Sequence, residues 1–264
     1  MAKTRKELAY LRDLYIRSDW TRRFTDLIDA HFDLSDEENL LYINAGTGEH
    51  VFALREKLNK KVSIFATCED EDILHIAIDK AAAIKSDIDF SMIRFEDASF
   101  DSVIADASLV SNDAYEALVD ESVRVARTGA NVGIISVTAG SFGEIFSLLW
   151  EVLFNEDLGE HGHAVEEMIT EQLSVTDVED IARRAGLENV HTHLVNEVFE
   201  YDDGEAFISS PLVLDFLLPV WLRTLSEDER QTVIEKLAQL VDTEDGSLSF
   251  RFSVKATLLT GEKM

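Results

Sequence analysis

Leu40-Leu41-Tyr42-Ile43-Asn44-Ala45-Gly46-Thr47-Gly48-Glu49-His50 decides how the chain folds. Bulky apolar residues run into Gly46-Thr47-Gly48, and helix-compatible residues take over from Glu49. The stretch reads as a buried strand, a tight Gly-x-Gly turn and the start of a helix. Glycine is the residue that permits both the turn and close approach of a ligand to the backbone.

Outward from this turn, strands and helices alternate. Leu8, Leu11, Leu14, Tyr15, Trp20, Phe24, Leu27 and Ile28 recur at helical spacing and predict a helix over 4–32, with a polar break at 33–38. Strands are expected at 40–44, 62–67, 89–93, 100–106 and 131–137, and helices at 48–59, 70–85, 112–127 and 141–155. An acidic loop is read through His163, then a helix over 176–185 ended by Gly186 and a strand over 189–199. Residues 204–242 read as mostly helical and 247–259 as a long alternating strand. Strands separated by helices imply right-handed crossovers and a parallel sheet. Two strands at the end imply an antiparallel hairpin whose last member inserts beside the fifth strand.

Composition limits the function classes. The 264 residues, 46% of them apolar, suffice for one core, so a single domain over 1–264 is expected. Its parts are an N-terminal helical extension (1–37), a core (38–200), a helical insertion (201–246) and a final strand (247–264). Cys68 is the one cysteine, which excludes a disulfide framework and a cysteine zinc site. Acids outnumber bases 52 to 24, for a net charge of −28. A nucleic-acid partner needs a basic face, and none is evident. No apolar run reaches the roughly 18–20 residues of a membrane span, and the charged start is no signal region; no membrane association and a cytoplasmic setting are expected.

The glycine turn resembles motif I of the class I S-adenosylmethionine (SAM)-dependent methyltransferases, and three later stretches resemble that family in the same order. Phe95–Ile104 is similar to its approach to the fourth strand. Arg124–Ala130 is similar to the turn before the fifth strand, and Ser174–Leu187 to the late helix before the sixth. The resemblance covers roughly residues 38–200 and the terminal strand. It implies an α/β, Rossmann-like, seven-stranded, mostly parallel sheet with helices on both faces, an antiparallel C-terminal hairpin and an N-terminal helical extension. It also implies SAM as cofactor, held by Asn44, Ala45, Gly46, Thr47, Gly48, Cys68, Glu69 and Asp106.

The motifs depart from the family at the positions that hold the cofactor. Tyr42 stands where the family has an acid for the methionine amino group, and Asn44 replaces the first motif glycine. Cys68 falls where an acid accepts both ribose hydroxyls, and a thiol accepts weakly. The loop after the third strand is short, and Thr128 and Ala130 replace a proline and a glycine. Removing two charge-assisted hydrogen bonds at about 1.5–3 kcal/mol each turns micromolar binding into millimolar, so SAM binding is weak or absent on this count.

Asp106 is read either as a group near the methyl donor or as a helix-capping or loop residue, and His50 either as facing the cofactor pocket or, in preference, as a helix-flank residue. A ring of Tyr42 placed above Gly46 would leave no room for a methionine tail. His161-Gly162-His163 and His191-Thr192-His193 lack partner patterns for a metal, and no Gly-x-Ser-x-Gly elbow supports a hydrolase. Two apolar stripes, around Trp150 and from Phe207 to Trp221, read as core, with a substrate lid or a homodimer interface as other uses. The resemblance implies a methyltransferase acting on a small-molecule acceptor. The departures imply the alternative, a catalytically inactive binding or assembly module.

Overall fold

The predicted alternation closes into a seven-stranded sheet in the computed structural model, which describes residues 3–34, 38–244 and 249–264. The strands are β1 (Asn39–Ile43), β2 (Ser63–Thr67), β3 (Asp89–Ser91), β4 (Phe100–Ala107), β5 (Ala126–Thr138), β6 (Leu187–Tyr201) and β7 (Phe250–Lys263), in the order β3-β2-β1-β4-β5-β7-β6. The pairs β1–β2, β2–β3, β1–β4 and β4–β5 are parallel. The C-terminal strands are antiparallel, and β7 lies beside β5 as the sequence predicts. Chain direction across the sheet switches between β1 and β4. Ligands of open α/β sheets bind beyond the strand ends at that point, and the glycine turn lies there.

Burial explains the central strands. All eight residues of β4 are buried, the signature of a strand covered on both faces. Helices α3 (Glu49–Lys57), α4 (Glu71–Ile84), α5 (Asn112–Val125) and α8 (Val175–Ala185) follow the predicted positions closely. Local chemistry starts them: Asp70 accepts from the Ile73 N–H at 2.9 Å, and Ser174 forms a reciprocal capping box with Asp177.

Four features differ from the sequence reading. The helix expected over 4–32 begins as α1 (Arg5–Leu11) and ends as α2 (Arg22–His31), but Arg12–Thr21 between them is π-helical. Helix α7 (Gly162–Thr170), preceded by a 3-10 turn at Gly159–His161, occupies part of the expected acidic loop; its one buried apolar side chain, Val165, is too little for a periodicity to show. Strand β5 starts at Ala126, because an irregularity between Phe100 and Ser102 lets it pair earlier with β4. Strand β7 runs to Lys263. The expected start of that strand at 247–248 and part of the 33–38 break lie outside the described residues.

The chain divides into two compact units. The first comprises Met1–Val137, Leu173–Leu194 and Ala256–Met264, and its core gathers Leu41, Val103, Val119, Val132, Ile134, Val178 and Leu259. The second comprises Thr138–Gln172 and Val195–Lys255, and includes α6 (Gly143–Asn155), α7, α9 (Gly204–Ser209), α10 (Leu218–Trp221) and α11 (Glu227–Glu244). Aromatic rings fill it: Phe199 stacks on Phe252 at 4.9 Å, and Phe142 meets Trp221 edge-on at 5.4 Å. Both predicted apolar stripes fall here. Phe146, Leu149, Leu153, Phe207, Leu212 and Trp221 are buried, while Trp150, Leu214 and Val220 are exposed. Among the described residues no helix is long and apolar enough to cross a membrane.

Ile104, at the centre of β4, is wholly inaccessible. Ile104→Ala is expected to lower unfolding free energy by about 2–5 kcal/mol in urea melts, and a loss below about 1 kcal/mol would contradict this packing.

Candidate functional site

The turn between β1 and α3 takes the backbone form that its glycines suggest. Asn44, Gly46 and Gly48 have φ of 57°, 56° and 89°, so Asn44 adopts the left-handed conformation where the related motif has glycine. Its side chain supports that position by donating to the Asp106 carbonyl at 3.1 Å. Replacing Gly48 would strain its left-handed backbone and force the rings of Phe90 and Phe52, 2.8 and 2.9 Å from where a Cβ would stand, to shift. Ala45 N–H donates to the Thr67 carbonyl at 2.8 Å, tying the turn to the end of β2.

The open face of Gly46 is covered by a residue that sequence reasoning did not single out. Arg12 lies across it, with Nε 3.6 Å and Nη2 3.8 Å from the point where a Cβ would stand. Its guanidinium Nη2 donates to Glu69 Oε1 in an ion pair whose two side chains are mostly buried. Tyr42, whose ring above Gly46 would have left no room for a methionine tail, is not the nearest group. The reason is that Tyr42 is drawn towards α3, where its hydroxyl lies 3.1 Å from His50 Nδ1.

Further contacts fix the π-helical segment over the turn. Asp13 Oδ1 accepts from Thr47 Oγ1 at 2.6 Å and from Lys80 Nζ at 2.7 Å. Arg17 pairs with Glu49 at 3.0 Å, and Trp20 Nε1 donates to Ser108 Oγ at 3.0 Å. The Ser108 N–H in turn donates to Asp106 Oδ1 at 2.8 Å. Arg12, Arg17, Tyr42, Gly46, His50 and Asp106 thereby bound a cleft with about 20 Å³ free. That is room for one water molecule, which needs roughly 10–15 Å³. A small-molecule pocket offers roughly 300–1,000 Å³.

The eight residues predicted for cofactor binding do gather here, but their polar groups are engaged within the chain. Cys68 Sγ donates to the Gly46 carbonyl at 3.3 Å, Thr47 holds Asp13, and Glu69 holds Arg12. Asp106 lines the cleft and accepts from the Ser108 N–H, the contact of a loop residue. His50 is buried in the cleft wall and is no flank residue. Its Nε2 lies 3.4 Å from Asp29 Oδ1, and Asp29 Oδ2 pairs with Lys57 at 2.7 Å. A carboxylate only accepts, so Nε2 carries the proton and Nδ1 accepts from Tyr42. The His50 apolar neighbour Val51 was legible as core; the bridge that His50 makes from Tyr42 to Asp29, 21 residues away, was not.

Burial sets the protonation of these groups. It lowers the His50 pKa against the pull of Asp29, and raises that of Tyr42 well above the ordinary phenol value, helped by Asp106, Glu69 and Asp29. Burial also raises Glu69, which Arg12 opposes and Asp106 reinforces, and raises Asp106 despite the Ser108 hydrogen bonds. The Cys68 thiol is pushed up to about 12. Glu69 Oε2 is buried with no hydrogen-bond partner.

The SAM site implied by the resemblance is therefore not one that these residues fit. It would need acceptors at the end of β2 and space along Gly46. Cys68 and Glu69 are committed, and Arg12 takes the space. No group of three or more possible metal ligands occurs among the described residues; His193 stacks on His31 at 3.9 Å, and His163 faces Glu167 at 3.2 Å.

No protein-family model matches the sequence, and no curated protein matches it. The structure is similar to YcgJ of Bacillus subtilis, with 15% identity over 92% of this chain and 98% of that one, at a TM-score of 0.59. It is similar to phosphoethanolamine N-methyltransferase 2 of Haemonchus contortus, solved with S-adenosylhomocysteine, with 12% identity over 98% of this chain and 58% of that one, at a TM-score of 0.56. It is also similar to the 4+2 cyclase SpnF, with 16% identity over 99% of this chain and 97% of that one, at a TM-score of 0.51. At these identities the likeness establishes the fold, which is that of the class I SAM-dependent methyltransferases.

Two outcomes follow from the protonation states. In the folded protein at about pH 8, Cys68 should resist iodoacetamide and react only after unfolding in urea; equal rates would show an accessible thiolate. Asp106 binds its proton more tightly when folded, so its contribution to stability is full below the ordinary carboxylate pKa and lost as pH rises through the raised one. Asp106→Asn keeps an oxygen for Ser108 and removes the charge. Its stability relative to wild type should rise between about pH 4 and about pH 8 in urea melts, and a fall would mean that Arg12 holds Asp106 as a carboxylate.

Proposed function

We propose that the chain is a catalytically inactive binding or assembly module with a methyltransferase fold, its cleft closed by its own N-terminal helix. The observation that carries this reading is the Arg12 guanidinium, seated between Gly46 and Glu69. The other departures support it. Tyr42, Asn44 and Cys68 have each found a partner in the chain, respectively His50, the Asp106 carbonyl and the Gly46 carbonyl.

Energy supports the same side. A ligand lying along Gly46 must first expel Arg12 and leave Glu69 buried without its cation. Breaking a buried pair in this way costs about 3–5 kcal/mol, which is two to three and a half powers of ten in affinity. No carboxylate at Tyr42 or Cys68 offsets that cost. Transfer of a methyl group requires alignment of donor and acceptor in a dry pocket, and a cleft with about 20 Å³ free holds neither.

A second reading, a SAM-dependent methyltransferase of a small molecule, is favoured by one observation. Gly46 and Gly48 keep the left-handed turn that approaches a nucleotide-like ligand. In that reading the helix leaves the cleft when cofactor binds. Isothermal titration with SAM and with S-adenosylhomocysteine separates the two. The module gives no heat up to about millimolar ligand, whereas micromolar binding of both would overturn it in favour of the enzyme.

A further inference from the structure

We propose that the cleft is a guanidinium receptor, with Arg12 as its resident occupant and an arginine side chain or free guanidino compound as the ligand that can replace it. This deepens the module reading and rests on it. Three observations converge on the ligand class.

The first is an incomplete contact. A guanidinium pairs best with a carboxylate through two parallel N–H···O bonds. Arg12, tethered to its helix, reaches only Glu69 Oε1 and leaves Oε2 buried without a partner. An untethered guanidinium can use both oxygens. The second is charge: the Arg12 guanidinium pairs with Glu69 and is the cation whose field favours the carboxylate forms of both Glu69 and Asp106 against their burial. The third is shape. Gly46 carries no side chain, and the Arg12 guanidinium occupies that side of it, with Nε and Nη2 3.6 and 3.8 Å from where a Cβ would stand.

The way Arg12 is delivered makes exchange feasible. Arg12–Thr21 is π-helical for ten residues, where such geometry is otherwise confined to single turns. The same segment is held at the cleft through Asp13, Arg17 and Trp20. A guanidinium arriving from elsewhere releases that segment to regular helix, which offsets part of the cost of parting these three residues from their partners. Ammonium groups lack the planar fork and are poor substitutes.

The test is rescue of an emptied site. Thermal melts of full-length Arg12→Ala are run with millimolar N-methylguanidinium, with methylammonium and with no addition, beside wild type. N-methylguanidinium is expected to raise the melting temperature of the variant by roughly 2–4 °C, saturably, and methylammonium to leave it unchanged. The double variant Arg12→Ala, Glu69→Gln should lose the response. No greater shift in the variant than in wild type would overturn the proposal. Should Arg12→Ala fail to fold, Arg12→Gln keeps the hydrogen-bonding bulk and takes its place.

Two arms identify the source of the ligand. Free L-arginine and a blocked Gly-Arg-Gly peptide are titrated into the variant; preference for the peptide indicates a protein partner, and preference for arginine a small molecule. Equal silence of both would overturn the receptor. SAM is titrated in parallel. Micromolar SAM binding would overturn the module reading, whereas loss of the guanidinium response alone overturns only the receptor.

Discussion

A single buried ion pair, Arg12 with Glu69, organises the ligand end of this sheet. It lies against the face of Gly46, whose left-handed φ of 56° is what favours glycine there. It sets a cation against the buried Glu69 carboxyl, and the same charge opposes the burial of Asp106. It also gives the N-terminal helix a destination. Asp13, Arg17 and Trp20 each anchor that helix to a different element, and Arg12 lies against the face of Gly46 in the space where the fold places ligands.

The fold was legible because its signals are local and repeated. Leu40–Ile43 followed by Gly46 and Gly48 marks a strand and a turn within nine residues, and the alternation of strands and helices implies a parallel sheet. The occupant of the cleft was not legible, for a physical reason. Arg12 and Glu69 are 57 residues apart, and nothing in a helical pattern of Leu8, Leu11 and Leu14 says which polar neighbour turns inward. His50 was hidden in the same way, since its value lies in Tyr42 behind it and Asp29 beyond. The π segment broke the 3.6-residue rule on which any reading of the helix rested. Cys68 and Tyr42 were visible as departures, whereas their new partners were visible only in three dimensions.

Those departures form a set. Tyr42, Asn44 and Cys68 each bond another group of the chain. Consistency across residues is what distinguishes a specified structure from a decayed one. Fold alone assigns no chemistry, and a cyclase is among the proteins that this chain resembles in shape. Function here is argued from the groups in the cleft and from what they already hold.

The π-helical run also changes how residues are counted along the N-terminal helix. A π register closes its turns at five residues, so Arg12 and Arg17 stack on one face, and both line the cleft. In a regular α-helix, at 3.6 residues per turn, the same two side chains would point about 140° apart. Deleting one of residues 13–16 would bring the two arginines to positions i and i+4, about 40° apart, which a regular α-helix keeps on one face. Chain length in this segment is a determinant of the site in its own right.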